Sequence, residues 1–139
     1  MSLPTTTEII DDLSFFDDWE DRYKYIIDLG NALPPLDQTL RTKERLVKGC
    51  QSDVWLDVRR ENDKLLFAVD SDALIVRGLL AIVMAAYHNK KPGDILAFDI
   101  DGYFKKIDLE RHLSPTRGNG LRSIVSKVRA IAEAVVLSS

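Results

Sequence analysis

The chain has 139 residues, of which 45% are hydrophobic and 29% charged, with a formal net charge of -3. That length fits one domain over residues 1–139 with a sizeable core, and the charge balance argues against disorder. The slightly acidic balance argues against a nucleic-acid binder, which carries a basic excess, and the longest unbroken apolar run, Leu79–Tyr87, is well short of the ~20 residues that span a bilayer.

Taken in chain order, Met1–Ile10 shows neither the basic run nor the apolar stretch of a secretory signal. A lone cysteine also forms no internal disulfide, so the expected location is cytoplasmic, with no membrane contact. A short helix is expected from about Thr7 to Phe16. A second should begin at Asp17 or Asp18, where carboxylates suit the positive end of the helix dipole. On it Trp19, Tyr23, Ile26, Ile27, Gly30 and Leu33 share one face, and Pro34-Pro35 stops it.

Residues Pro34–Gly49 have no period and read as a polar loop of mixed charge. A connection of this length is often functional. Asp53–Arg60 then alternates Val54, Leu56 and Val58 with Asp53, Asp57 and Arg59, the pattern of a strand. Trp55 interrupts the polar face. Glu61-Asn62-Asp63 is a turn, and Leu65–Val69 completes a hairpin. No third strand can be placed.

Ser71-Asp72 is expected to cap a helix from Ala73 to His88, which is apolar almost all round and therefore central to the core. Lys91–Asp94 reads as a turn, and Asp94–Leu109 as one or two short helical pieces. His112–Gly120, with a proline and two glycines, reads as a loop. The last helix is expected from Leu121, with Ile124, Val125, Val128, Ile131, Ala132 and Val135 on its buried face. Many helices around few strands make an α+β fold.

Cys50 is the candidate reactive residue. It lies outside both apolar periods, at the end of a polar loop, after Gly49 and before Gln51 and Ser52. One reading is a structural thiol, because free cysteine is often buried. The other is exchange chemistry at an exposed loop tip, for which Gly49 permits close approach by another chain. The absence of a second cysteine fits the latter, since a rival thiol would discharge a persulfide to a disulfide. An acyl-transfer reading needs a histidine base, and His88 and His112 read instead as a helix-end and a structural residue. No Cys or His pair has metal-ligand spacing. Arg117-Gly118-Asn119-Gly120 matches no phosphate loop.

Four segments resemble the SufE family. They are Leu33-Pro34-Pro35-Leu36 followed by Arg41; Gly49-Cys50-Gln51-Ser52-Asp53-Val54-Trp55; Ser71 to Leu79, which includes Asp72 and Arg77; and His112 to Arg117 with Gly120-Leu121. Arg45 departs from the asparagine expected of many members. The resemblance implies helices packed on a small antiparallel sheet, as in SufE and IscU proteins. It implies a sulfur acceptor in which Cys50 takes persulfide sulfur from a cysteine desulfurase of the SufS or CsdA type and stimulates it. The sulfur then passes to a SufBCD-type scaffold for iron–sulfur cluster assembly. The chain would hold no cofactor of its own, only a transient persulfide; pyridoxal phosphate belongs to the partner.

Four expectations about the site follow. Lys48 and Arg117 are candidate cations beside the thiol. Asp72 either caps its helix or takes part in transfer. Trp55 either packs under a neighbouring helix or helps the Ala73 helix shield the bound sulfur. A single-cysteine redox sensor and a non-catalytic interaction module stand as alternatives.

Overall fold

The computed structural model describes residues 3–138; Met1, Ser2 and Ser139, and what the sequence implies of them, lie outside the described residues. Helix α1 (Thr6–Ser14) opens with a capping box. The Thr5 hydroxyl accepts from the Glu8 N–H and the Glu8 carboxylate accepts from the Thr5 N–H. Helix α2 (Trp19–Gly30) is capped by Asp18, whose carboxylate accepts from the Asp21 N–H. Two of its expected face residues, Ile26 and Gly30, are buried, as is Leu33 just beyond its end.

Strands β1 (Val54–Glu61) and β2 (Lys64–Ser71) pair antiparallel, with Val54 opposite Ser71 and Glu61 opposite Lys64. The two-residue turn puts Asn62 and Asp63 at φ 52° and 64°, a left-handed conformation these residue types tolerate and hairpin twist favours. Leu56, Phe67 and Val69 point into the core, while Arg59 and Arg60 face solvent. Among the described residues this hairpin is the whole sheet.

Helix α3 (Leu74–Tyr87) is the central element, in contact with β2, α1, α2 and a helix that follows. Leu80, Ala81, Ile82 and Val83 are fully buried. Each large side chain of this kind contributes roughly 1.5–3 kcal/mol through burial. It crosses α2 where Gly30 meets Gly78. A methyl at Gly78 would overlap the Ile26 carbonyl oxygen, and one at Gly30 would reach the Gly78 nitrogen at 2.8 Å. The two glycines therefore allow the helix backbones to touch.

Helices α4 (Pro92–Ala97) and α5 (Ile100–Lys106) are the two short pieces expected between Asp94 and Leu109. The first begins two residues before that range, because Pro92 occupies the first turn, where its missing N–H costs nothing. Helix α6 (Pro115–Leu137) corrects the expected loop at 112–120. Ser114 caps it, accepting from the Arg117 N–H at 3.2 Å, and Pro115 starts it. Gly118 and Gly120 lower helix propensity but do not forbid helix, and a good cap with proline behind it fixes the start.

The expected cap of α3 is also corrected. Its N-cap is Ala73, without a side-chain bond. The Ser71 hydroxyl accepts from the Ala73 N–H at 3.3 Å and donates to the Asp53 carbonyl at 2.7 Å. Asp72 is exposed, its carboxylate approached among the described residues only by that hydroxyl, at 3.5 Å.

Candidate functional site

Residues 34–49 are an ordered strap, held by polar contacts that the sequence did not disclose. It contains two single 3-10 turns, Gln38–Leu40 and Lys43–Arg45. Asp70, 2% exposed, is the anchor. Its carboxylate accepts from the Leu36 N–H at 2.9 Å and from Arg41 at 2.7 Å, and pairs with Arg77 Nε at 3.1 Å. Arg77 also donates to the Leu33 carbonyl at 2.7 Å. A buried carboxylate tolerates its charge only when paired and hydrogen-bonded in this way. Further along, Arg45 donates to Asp57 at 2.9 Å and to the Thr42 hydroxyl at 3.1 Å. Arg45 thus ties the strap to β1.

The strap ends at Gly49, φ +91°, a left-handed conformation open to glycine. Gly49 packs directly on Ser123 of α6. That turn sets Cys50 against the first turns of the same helix. Cys50 Sγ lies 3.6 Å from the Gly120 carbonyl oxygen, a weak S–H donor contact, and a methyl at Gly120 would meet Sγ at 3.6 Å.

Cys50 is half-buried, not an exposed loop tip. It opens into a cavity of ≈ 70 Å³, several times the roughly 10–15 Å³ a single water needs. Gln51, Ser52 and Val54 line it from the cysteine segment, and Val76 and Leu79 from α3. The remaining wall is the start of α6: Ser114, Thr116, Arg117, Gly120, Leu121 and Ile124. Burial pushes the Cys50 thiol up from its ordinary range, because an apolar wall disfavours the thiolate.

The structure therefore brings Cys50, Gln51, Ser52 and Arg117 together, with Gly49 supplying the turn. Arg117 is half-buried, and its guanidinium has no ion-pair or hydrogen-bond partner among the described residues. On the α3 side the cavity wall is Val76 and Leu79. Trp55 does not line the cavity. Strand alternation turns Val54 inward and Trp55 to the opposite side, where it bridges Leu46 and carries the Arg41 guanidinium 5.0 Å from its ring centre. Asp72 does not line the cavity either; the exposed turn before α3 holds it outside. Lys48 is exposed and absent from the cavity wall.

Neither histidine reaches Cys50. His88 accepts the Phe67 N–H on Nδ1 at 3.0 Å. His112 stacks on Trp19 at 4.5 Å and lies 3.4 Å from Asp108. Among the described residues no group of three His, Cys, Asp or Glu side chains is placed to hold a metal ion, and no helix is long and apolar enough to cross a membrane. Residues missed by sequence reasoning include Asp70, Ser114, Thr116 and Ile124. The only signal for Asp70 was an acidic residue beginning the second strand's polar exit.

Residues 7–132 match the model of the SufE family, described as an Fe–S metabolism associated domain. The chain belongs to the SufE family. An uncharacterized SufE-like protein of Rhizobium etli is 51% identical over 130 residues, 91% of this chain and 88% of that one. A second, from Rhizobium meliloti, is 46% identical over 130 residues, 91% of this chain and 93% of its own length. The solution structure of a hypothetical protein from Thermus thermophilus superposes with a TM-score of 0.77 at 18% identity, covering all of both chains. That likeness extends to the fold. Membership ties this SufE-family chain to iron–sulfur metabolism, and its α+β architecture of helices on a small antiparallel sheet is as expected.

Proposed function

We propose that this SufE-family protein is a sulfur acceptor and carrier that takes a persulfide sulfur onto Cys50. The observation that carries the reading is the placement of the only cysteine, half-buried in a small, mainly apolar cavity with the unpaired Arg117 on its wall. A cavity of this kind has room for one added sulfur atom and limits access by reductants.

The donor is a cysteine desulfurase whose own cysteine bears a terminal sulfane sulfur. The Cys50 thiolate attacks that sulfur, the donor S–S bond breaks, and a new S–S bond forms on Cys50. The donor cysteine leaves as a thiolate and takes up the proton that Cys50 lost, so there is no net oxidation. In the isolated protein burial keeps the thiol protonated, which guards it. Docking that brings Arg117 or a donor cation against the sulfur raises the thiolate fraction and starts transfer. The loaded chain then passes its sulfur to a SufBCD-type scaffold and, by draining the persulfide, stimulates the desulfurase. It acts in the cytoplasm as a transfer partner, with the pyridoxal phosphate held by the desulfurase.

The test is incubation with a SufS- or CsdA-type desulfurase and sulfur-labelled cysteine, followed by mass spectrometry of the intact chain. One labelled sulfur on Cys50, abolished in Cys50→Ser, supports the reading. Arg117→Ala should load about tenfold or more slowly, since a positioned charge stabilises developing thiolate. An unlabelled chain beside an active desulfurase would end the proposal. A stable sulfenic acid formed with peroxide alone would favour a redox sensor.

A further inference from the structure

A second groove, of ≈ 870 Å³, runs between the strap and the outer face of α6. Its floor is Leu46 and buried Val47 on one side and the small Ser123 and Ser126 on the other. Its rim carries Lys43 and Lys48 from the strap and Lys127 from α6. All three lysines are exposed, and none of their ammonium groups has an ion-pair or hydrogen-bond partner among the described residues.

The nearby arginines are already engaged. Arg122 pairs with Glu110 and Asp101, and Arg45 with Asp57. Glu44 is exposed in the same lining, and its own backbone N–H holds its carboxyl below the ordinary range, so it stays ionised and offsets one of the three lysine charges. A chain of net charge -3 thus keeps an excess of positive charge, three lysines against Glu44, around one partly apolar groove. The groove also ends two residues before the reactive one. Lys48 is followed directly by Gly49 and Cys50, and Ser123 both floors the groove and seats Gly49.

We propose that this groove docks an acidic segment of the sulfur-donor protein, with an apolar side chain of that segment set against Leu46 and Val47. The rim charges steer the encounter, and the segment delivers the donor cysteine at the Gly49–Cys50 end. Charge complementarity of this exposed kind acts mainly on association rate and its salt dependence. The proposal rests on the carrier reading and adds the surface by which the donor is recognised.

The experiment compares wild type with the triple variant Lys43→Glu, Lys48→Glu, Lys127→Glu. A matched control reverses Lys24, Lys91 and Lys106, exposed lysines elsewhere. Cys50 loading is measured from a SufS-type desulfurase at several salt concentrations, and from a small-molecule persulfide donor. The groove variant should raise the KM for the carrier about tenfold or more, leave kcat near wild type, and lose the salt dependence. It should load from the small donor at the wild-type rate, and the control set should match wild type throughout. An unchanged KM and salt dependence would overturn the proposal, as would an equal loss in the control set or loss of small-donor loading in the groove variant. Failure of wild type itself to load from any donor would instead overturn the carrier reading.

Discussion

Cys50 Sγ sits 3.6 Å from the carbonyl oxygen of Gly120, across 70 residues of sequence. The cysteine is therefore held against the start of α6 and shares a cavity with Arg117, two turns of chain having been brought together that share no local pattern. The half-buried thiol is guarded by that helix rather than displayed by its loop, and four measurements examine how.

The first concerns the turn that seats the cysteine. Gly49 combines a left-handed φ of +91° with a position where a methyl would overlap the Ser123 hydroxyl. Gly49→Ala should cost about 1–2 kcal/mol from backbone conformation alone, with more from the overlap. Loosening Cys50 from α6 should also speed its reaction with a thiol reagent. Urea denaturation and the kinetics of thiol modification check both; Ser123→Gly in the same chain should recover part of the stability but not the part due to φ.

The second concerns pH. Burial raises the folded-state pKa of Cys50 above its unfolded value, so the contribution is fully present below the unfolded pKa of about 8.5 and is lost as pH rises toward the folded one. Wild type should lose stability relative to Cys50→Ser above that pH, and the two should run parallel below it. Alkylation of Cys50 in the native protein should reach its half-maximal rate at a higher pH than in the urea-unfolded chain.

The third concerns the anchor of the strap. Asp70 holds Arg41, Arg77 and the Leu36 N–H together at 2% exposure. Asp70→Ala leaves two cations without their partner and takes the acceptor from the Leu36 and Ser71 N–H groups, which should cost about 3–5 kcal/mol. Asp70→Asn keeps one acceptor for Leu36 and should cost less. Denaturant midpoints rank the two variants.

The fourth concerns His88. Burial, with Arg59 and Lys90 nearby, lowers its pKa, and its Nδ1 must keep a lone pair to accept the Phe67 N–H. Its contribution is therefore present above the unfolded value of about 6.5 and lost as pH falls through the lowered one. Thermal stability of wild type should decline faster below pH 6.5 than that of His88→Gln, whose amide oxygen accepts the same bond without titrating.

The resemblance and the periodic elements were legible in the residues themselves. The faces of α2, α3 and α6 and the alternation of β1 follow from helix and strand geometry, which each segment carries locally. Other readings, among them the exposed position of Cys50 and the place of Lys48, turned on contacts outside each local segment. Residues 115–120 of the expected loop are the first turn and a half of α6, because Ser114 and Pro115 outweigh two glycines. Asp72 looked like a cap, but Ser71 took the N–H and left it outside. Trp55 was open between packing and shielding, and pleating turned it toward Arg41 while Val54 lined the cavity.

What the sequence by itself determined is the chemistry available: one thiol without an internal rival, on an α+β scaffold whose apolar faces choose their own partners. Tertiary structure alone decided the environment of that thiol, because burial, the approach of Arg117 and the anchoring of the strap on Asp70 all arise from contacts between residues far apart in the chain. Reactivity of a cysteine depends on such surroundings, and no local pattern encodes them.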